Sequence, residues 1–170
     1  MRRKSVSKEQ LDFAEFYAGS RDDCLRTVLA TVRDVDKAQD LVAEAFARAW
    51  ASWRKVSRHP APRAWVVRTA LNLGVSSWRR HRRELPLMDH DASACGPAVS
   101  LVDTDLTAVL QRLPVRQRQV VALRIFLDLD TAHTAEVLGV APGTVTAHLT
   151  RALAALRTEF ATYGSEGNRS

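Results

Sequence analysis

Cysteine is scarce in this chain, with only Cys24 and Cys95 among 170 residues. Two thiols cannot build the disulfide framework of a small secreted domain or a four-thiolate metal site, so a reducing compartment is expected. Long apolar runs are missing too: no stretch approaches the roughly 18 uninterrupted apolar residues of a membrane span. The basic start MRRKSVSKEQ leads into no apolar segment of the kind a secretory leader needs. A cytoplasmic protein without membrane insertion is the expectation. No glycine-rich phosphate loop occurs, and His59, His81, His90, His133 and His148 lie in separate segments without metal-ligand spacing. Neither an enzymatic centre nor a cofactor is expected. At 170 residues and 18.9 kDa the chain holds at most one or two compact domains.

What is present is apolar residue at helical period and an excess of positive charge. The hydrophobic fraction is 46% and the charged fraction 26%, ordinary values for a folded protein. The net charge of +6 is uneven. Residues 1–84 carry 18 basic and 10 acidic side chains, residues 85–104 three acids and no base, and residues 105–170 seven bases against six acids. The first half is therefore the one suited to a polyanion.

Few β-branched alternating runs occur, and the periodicity predicts an all-α fold. Helices are expected at about Lys8–Ala18, ending at Gly19; Arg21–Val32; Asp34 or Asp36 to Val56; and Pro62 to the basic end WRRHRRE. The third carries Leu41, Ala45, Phe46, Ala49, Trp50 and Trp53 as an apolar stripe. The segment Leu85–Thr104 mixes Pro, Gly, Ser and Asp without period, as a linker does. Beyond it helices are expected at Asp105–Leu113, Val115–Leu127, after Asp130 to Leu138, and about Gly143–Tyr163.

Residues 131–150, TAHTAEVLGVAPGTVTAHLT, have the form of a helix-turn-helix. Ala135 is small where two helices would cross, Gly139 can take a left-handed turn, and Val145 would plug the second helix onto the first. Thr144, Thr146, Ala147 and His148 would then enter a major groove, with Arg151 at the backbone. An ordinary helical hairpin is the alternative. Arg79, Arg80, Arg82 and Arg83 cluster at the end of the fourth helix. They read either as phosphate ligands or as a solvated end complementing the helix dipole. Trp65, Asn72 and Trp78 on that helix, with Arg58, His59 and Arg63 before it, add stacking surfaces, an amide and cations to the same module; Trp65 fits core packing better than base stacking. Asp36, Gln39, Asp40 and Glu44, beside Ala43 and Phe46, make an acidic and apolar strip inside this basic module. Such a strip is either dipole compensation or a surface for a basic protein partner.

DKAQDLVAEAFARAWASW followed by PRAWVVRTALNLGVSSWRRHRRE resembles region 2 of a bacterial RNA polymerase sigma factor. LQRLPVRQRQVVALRIFLDLDTAHTAEVLGVAPGTVTAHLTRALAALR resembles region 4. Both in this order, with a short linker and neither region 1 nor region 3, are similar to the extracytoplasmic-function (ECF) type. The resemblance implies two small helical bundles at 8–84 and 105–163 joined by a flexible linker. It implies a dissociable subunit that binds core RNA polymerase, at the β′ clamp helices and the β flap, and directs promoter recognition and DNA opening without catalysis. Asp36, Asp40, Leu41, Glu44 and Phe46 would face the polymerase. Arg58, His59 and Arg63 would line a loop for an extruded base of the minus-ten element, with Asn72, Trp78, Arg79, Arg80, Arg82 and Arg83 on that element and its phosphates. Thr144, Thr146, Ala147, His148 and Arg151 would read the minus-thirty-five element. An anti-sigma protein is a further candidate partner.

Three residues depart from the family pattern: Thr146 where a cation is usual, Thr134 at a normally aliphatic position, and Leu71 where a polar or charged side chain is common. GTVTAHLTRALAAL also resembles the LuxR-type helix-turn-helix, which leaves a stand-alone regulator as a second reading. A helical adaptor that binds only protein is a third. The linker spans at most roughly 66 Å when extended, equivalent to about 19 base pairs; free in solution the two modules could pack together with their DNA faces hidden.

Overall fold

The computed structural model describes residues 7–84 and 104–166, and their side chains over 7–75 and 108–161. The expected linker 85–104, apart from Thr104, and Cys95 with it, lie outside the described residues. All described elements are helices: α1 Lys8–Val32, α2 Val35–Ala51, α3 Trp53–Val56, α4 Pro62–Glu84, α5 Thr104–Arg112, α6 Val115–Phe126, α7 Thr131–Leu138 and α8 Pro142–Glu166.

Two expected boundaries are corrected. Gly19 does not end a helix; α1 runs through it for 25 residues. Gly19 has no positive φ and nothing near its Cβ position, and the apolar face continues across it from Phe13 and Phe16 to Cys24 and Val28. A glycine within a helix costs only about 1 kcal/mol against alanine, less than that face gains by burial. Ser7 starts α1 with a reciprocal cap, its hydroxyl accepting from the Gln10 N–H while its own N–H donates to Gln10 Oε1 at 2.8 Å. The second correction is a break at Ser52, which divides the predicted third helix into α2 and α3. Trp53 turns inward there, with its ring 5.1 Å from both Phe13 and Phe16, whereas Trp50 stays 44% exposed. Aromatic packing overrides helix continuity at that point. Asp34 caps α2 by accepting from the Lys37 N–H at 2.9 Å.

The main core joins α1, α2, α3 and α4 through Val28, Ala38, Ala45, Ala49, Val56, Val66, Val67 and Ala70, all fully buried. Leu123 of α6, Leu127 and Leu129 of the turn after it, and Val137 of α7 belong to the same cluster. A second cluster packs α5, α6 and α8 through Leu110, Val121, Ala152 and Leu156. The helix-turn-helix has its own small core of Val120, Ala135 and Val145. Gly139 takes φ +65°, and the Val140 N–H donates to the Ala135 carbonyl at 3.1 Å, closing the turn between α7 and α8. Arg118, almost wholly buried, donates to the Gln111 and Leu113 carbonyls and so satisfies the end of α5 before Pro114. Thr134 is fully buried and its Oγ1 has no hydrogen-bond partner, a cost that an aliphatic side chain would not carry.

Thr134→Val, which keeps the shape and removes the unpaired hydroxyl, should therefore stabilise the protein by about 1–3 kcal/mol, and Gly19→Ala by about 0.5–1 kcal/mol. Denaturant melts check both; an unchanged or lower midpoint for Thr134→Val would mean that its hydroxyl is satisfied in solution.

Candidate protein-binding and nucleic-acid-binding surfaces

The acidic strip of α2 divides by burial. Asp36, Gln39, Asp40, Ala43 and Glu44 are exposed. Leu41 and Phe46, expected on the same surface, are 9% and 3% exposed and belong to the core. A side chain packed against its own fold keeps little area for a partner, so what they offer outward is small. Phe46 instead forms part of the wall of a shallow groove of about 240 Å³, lined also by Tyr17, Arg21, Leu25, Gln39, Asp40, Val42 and Ala43. Tyr17 packs edge-on against Phe46 with ring centroids 4.9 Å apart. Glu44 accepts from Arg48 Nε at 2.8 Å, an exposed pair one turn apart, of little energetic weight. The surface is thus an acidic ridge beside an aromatic groove. Phe13, Phe16 and Tyr17 were not singled out in the sequence, although their spacing toward Cys24 on one face was the available signal.

The loop between α3 and α4 is shaped by its own backbone. His59 is half-buried, and its Nδ1 accepts the Ala61 N–H at 3.0 Å. The ring therefore holds the loop's conformation, which leaves only its other edge for a ligand. Arg58 and Arg63 are exposed. Asp23 of α1, which sequence reasoning did not single out, faces Arg63 at 3.5 Å and Arg26 at 3.3 Å, orienting the first cation of α4. Trp65 is half-buried and packs on the main core, a structural role. Asn72 is exposed two turns further along α4. Helix α4 continues through Trp78, Arg79, Arg80, Arg82 and Arg83, but their side chains lie outside those described.

Cys24, fully buried beneath this surface, has its thiol pushed up to about 12, by burial first, against the opposing effect of Arg63 and with that of Asp23. It stays protonated at neutral pH and is a packing residue.

On α8, Thr144, Thr146 and Arg151 are exposed, while Ala147 and His148 are half-buried. Thr146 Oγ1 donates to the Pro142 carbonyl at 3.2 Å, so its methyl and acceptor lone pairs are what it offers outward. His148 keeps Nδ1 buried without a partner; only its outer edge can reach a ligand. Asp130 fixes the start of α7, accepting from the His133 N–H at 2.7 Å and pairing with the His133 ring. Those contacts, the backbone bond foremost, hold its carboxyl below the usual range. The helix-turn-helix reading is thereby borne out at Ala135, Gly139 and Val145.

Residues 17–84 match the family Sigma-70 region 2, and residues 103–156 match Sigma-70, region 4. The chain belongs to the sigma-70 family. This sigma factor is 34% identical over 160 residues to the RNA polymerase sigma-E factor of Streptomyces coelicolor, covering 89% of this chain and 88% of that one. It is 28% identical over 167 residues to the sigma factor SigV of Bacillus subtilis, covering 94% and 96%. Among solved structures its fold is similar to the sigma factor RpoE of Bartonella quintana, in complex with the anti-sigma factor NepR, with TM-score 0.67, 22% identity and coverage of 86% and 95%. It is similar also to CnrH, in complex with the cytosolic domain of CnrY, with TM-score 0.63, 21% identity and coverage of 92% of each chain. It is an ECF-type sigma factor, which binds core RNA polymerase and promoter DNA and directs transcription initiation. Among the described residues no helix is long and apolar enough to cross a membrane.

Because the exposed Thr146 stands where a cation is usual, Thr146→Lys should strengthen binding to many sequences at once and steepen the salt dependence by about 0.9 per added phosphate contact. Titrations of holoenzyme against salt check this. Loss of promoter activity instead would identify Thr146 as a specific base reader.

Proposed function

We propose that this sigma factor divides its work among surfaces on separate helices, with residues 8–84 and 105–163 as its two working modules and 85–104 as the tether. Asp36, Asp40 and Glu44 would meet a basic face of core polymerase, with the β′ clamp helices as the partner the family resemblance implies, and the Tyr17–Phe46 groove would take an apolar side chain beside them. The observation that carries this is an exposed acidic ridge, next to an aromatic groove, inside a module of net charge +8 over residues 1–84. DNA would be repelled there, and a cationic protein attracted.

Arg58, Arg63 and Asn72, with Trp78, Arg79, Arg80, Arg82 and Arg83 further along α4, would engage the minus-ten element, and His59 would set the shape of the loop rather than supply its charge. Thr144 and Thr146, with the outer edge of His148, would read minus-thirty-five bases, and Arg151 would hold a phosphate. Region 4 would contact the β flap. The protein would act in the cytoplasm, without catalysis of its own, and an anti-sigma protein is a fitting regulatory partner. The stand-alone regulator accounts for α7 and α8 alone and leaves the acidic ridge without a role.

Transcription by purified core polymerase supplemented with this protein tests the assignment. Asp40→Arg with Glu44→Arg should abolish core binding, a loss of several kcal/mol for reversed interfacial charges, while helicity is retained because both side chains are exposed. Undiminished affinity for core polymerase would remove the ridge from the interface.

A further inference from the structure

Helix α8 holds His148 at the boundary between core and solvent. At about 100° per residue, it lies about 60° around the helix from Val145, which is fully buried in the small core of the helix-turn-helix. On the other side it lies about 40° from Thr144 and about 60° from Arg151, both of which are exposed. His148 is accordingly half-buried. One edge of its ring meets the fold and the other is left for a ligand. The inner edge carries Nδ1, which is buried and has no hydrogen-bond partner. Thr146 is about 160° away around α8, on the opposite flank.

An uncharged imidazole has one proton for two nitrogens, and the surroundings of each nitrogen decide which one holds it. Here the two are unequal. A proton on Nδ1 would create a buried N–H without an acceptor, and such orphaned donors are rarer in folded proteins than unpaired acceptors. On Nε2 the same proton meets water in the free protein and a ligand in a complex. The outer edge of His148 is therefore a donor and offers no acceptor. Arg151 beside it has donors only, and the Thr144 hydroxyl can serve either way. In the major groove guanine presents two acceptors, N7 and O6, and no donor. Adenine sets a donor at N6 beside N7, cytosine has a donor at N4, and thymine has a single acceptor beside its methyl group. A donor-only edge fits guanine.

We propose that His148 reads the minus-thirty-five element through its Nε2–H, as a single donor that selects guanine at one position. The proposal rests on the reading that α8 contacts the bases of that element, and it adds the atom and the base. A ring whose inner edge packs on the fold is not free to offer Nδ1 instead, so the preference comes from a held side chain rather than from a mobile cation. A phosphate oxygen is the other acceptor that duplex DNA offers such a donor, and it would give affinity without preference.

Transcription by core polymerase with the full chain, on a template library randomised at both promoter elements, tests this. The transcribed templates should favour guanine about fivefold at one upstream position, the weight of one net hydrogen bond. His148→Asn, whose amide nitrogen falls near the place of Nδ1, should lose that preference while those at other positions remain. His148→Gln, whose amide nitrogen can reach the place of Nε2, should keep it. Ring-nitrogen shifts in the NMR spectrum of the free full chain, recorded above the ordinary histidine titration range, should place the proton of His148 on Nε2. A proton on Nδ1, a guanine preference that survives His148→Asn, or one that His148→Gln also loses would each overturn the proposal. An equal fall in transcription from every sequence in His148→Asn, at unchanged helicity, would assign the donor to a phosphate and overturn the base reading. If the unaltered protein prefers no base at any upstream position, the reading that α8 contacts bases falls as well; upstream preferences that are present but indifferent to His148 overturn this proposal alone.

Discussion

The structure depends on close approach between helices whose contact faces are built from alanine and valine. Ala38, Ala45 and Ala49 on α2 and Ala64, Val66, Val67 and Ala70 on α4 are all buried in one core, and the two helices pack on each other. Small residues gain little burial energy each. Their value is that they fix distance and angle, so that the large aromatic residues of α1 and α3 have a single way to fill the rim. The position of Arg63 and of the loop before it follows from that geometry, because α4 is held against α1 and α2 from its first turn. The packing of the core therefore also sets the position of α4.

Much of this was legible in sequence because the elements carry their own punctuation. Asp34, Asp130, Pro62 and Gly139 stand where the caps, the start and the left-handed turn are found, each for a reason local to a few residues. What failed was non-local. Gly19 looked like a stop because helix ends favour glycine, but an apolar face that packs on α2, α4 and α6 outweighs one weak helix former. Ser52 looked like helix interior because nothing in its neighbours reveals that Trp53 must turn toward Phe13 and Phe16.

For the candidate site residues, the sequence pointed to residue type and position but not to burial. Thr144, Asn72 and Arg63, proposed as DNA contacts, are singled out by residue type and helical position, and all three are exposed. At about 100° per residue, Leu41 lies about 60° and Phe46 about 160° around α2 from Glu44, on the side that the core buries. Nothing in the sequence around His59 shows that its Nδ1 accepts from the Ala61 N–H two residues later. The packing of α1 on α6 and of α4 on α7 could only be guessed at, since two apolar patches far apart in sequence do not announce that they match.

Thr144, Thr146, Arg151, Arg63 and Asn72 are all exposed while α4 lies against α7. The expectation that packed modules hide their DNA faces does not hold for these residues. On the roles proposed for these residues, a duplex can reach either set without α4 first parting from α7.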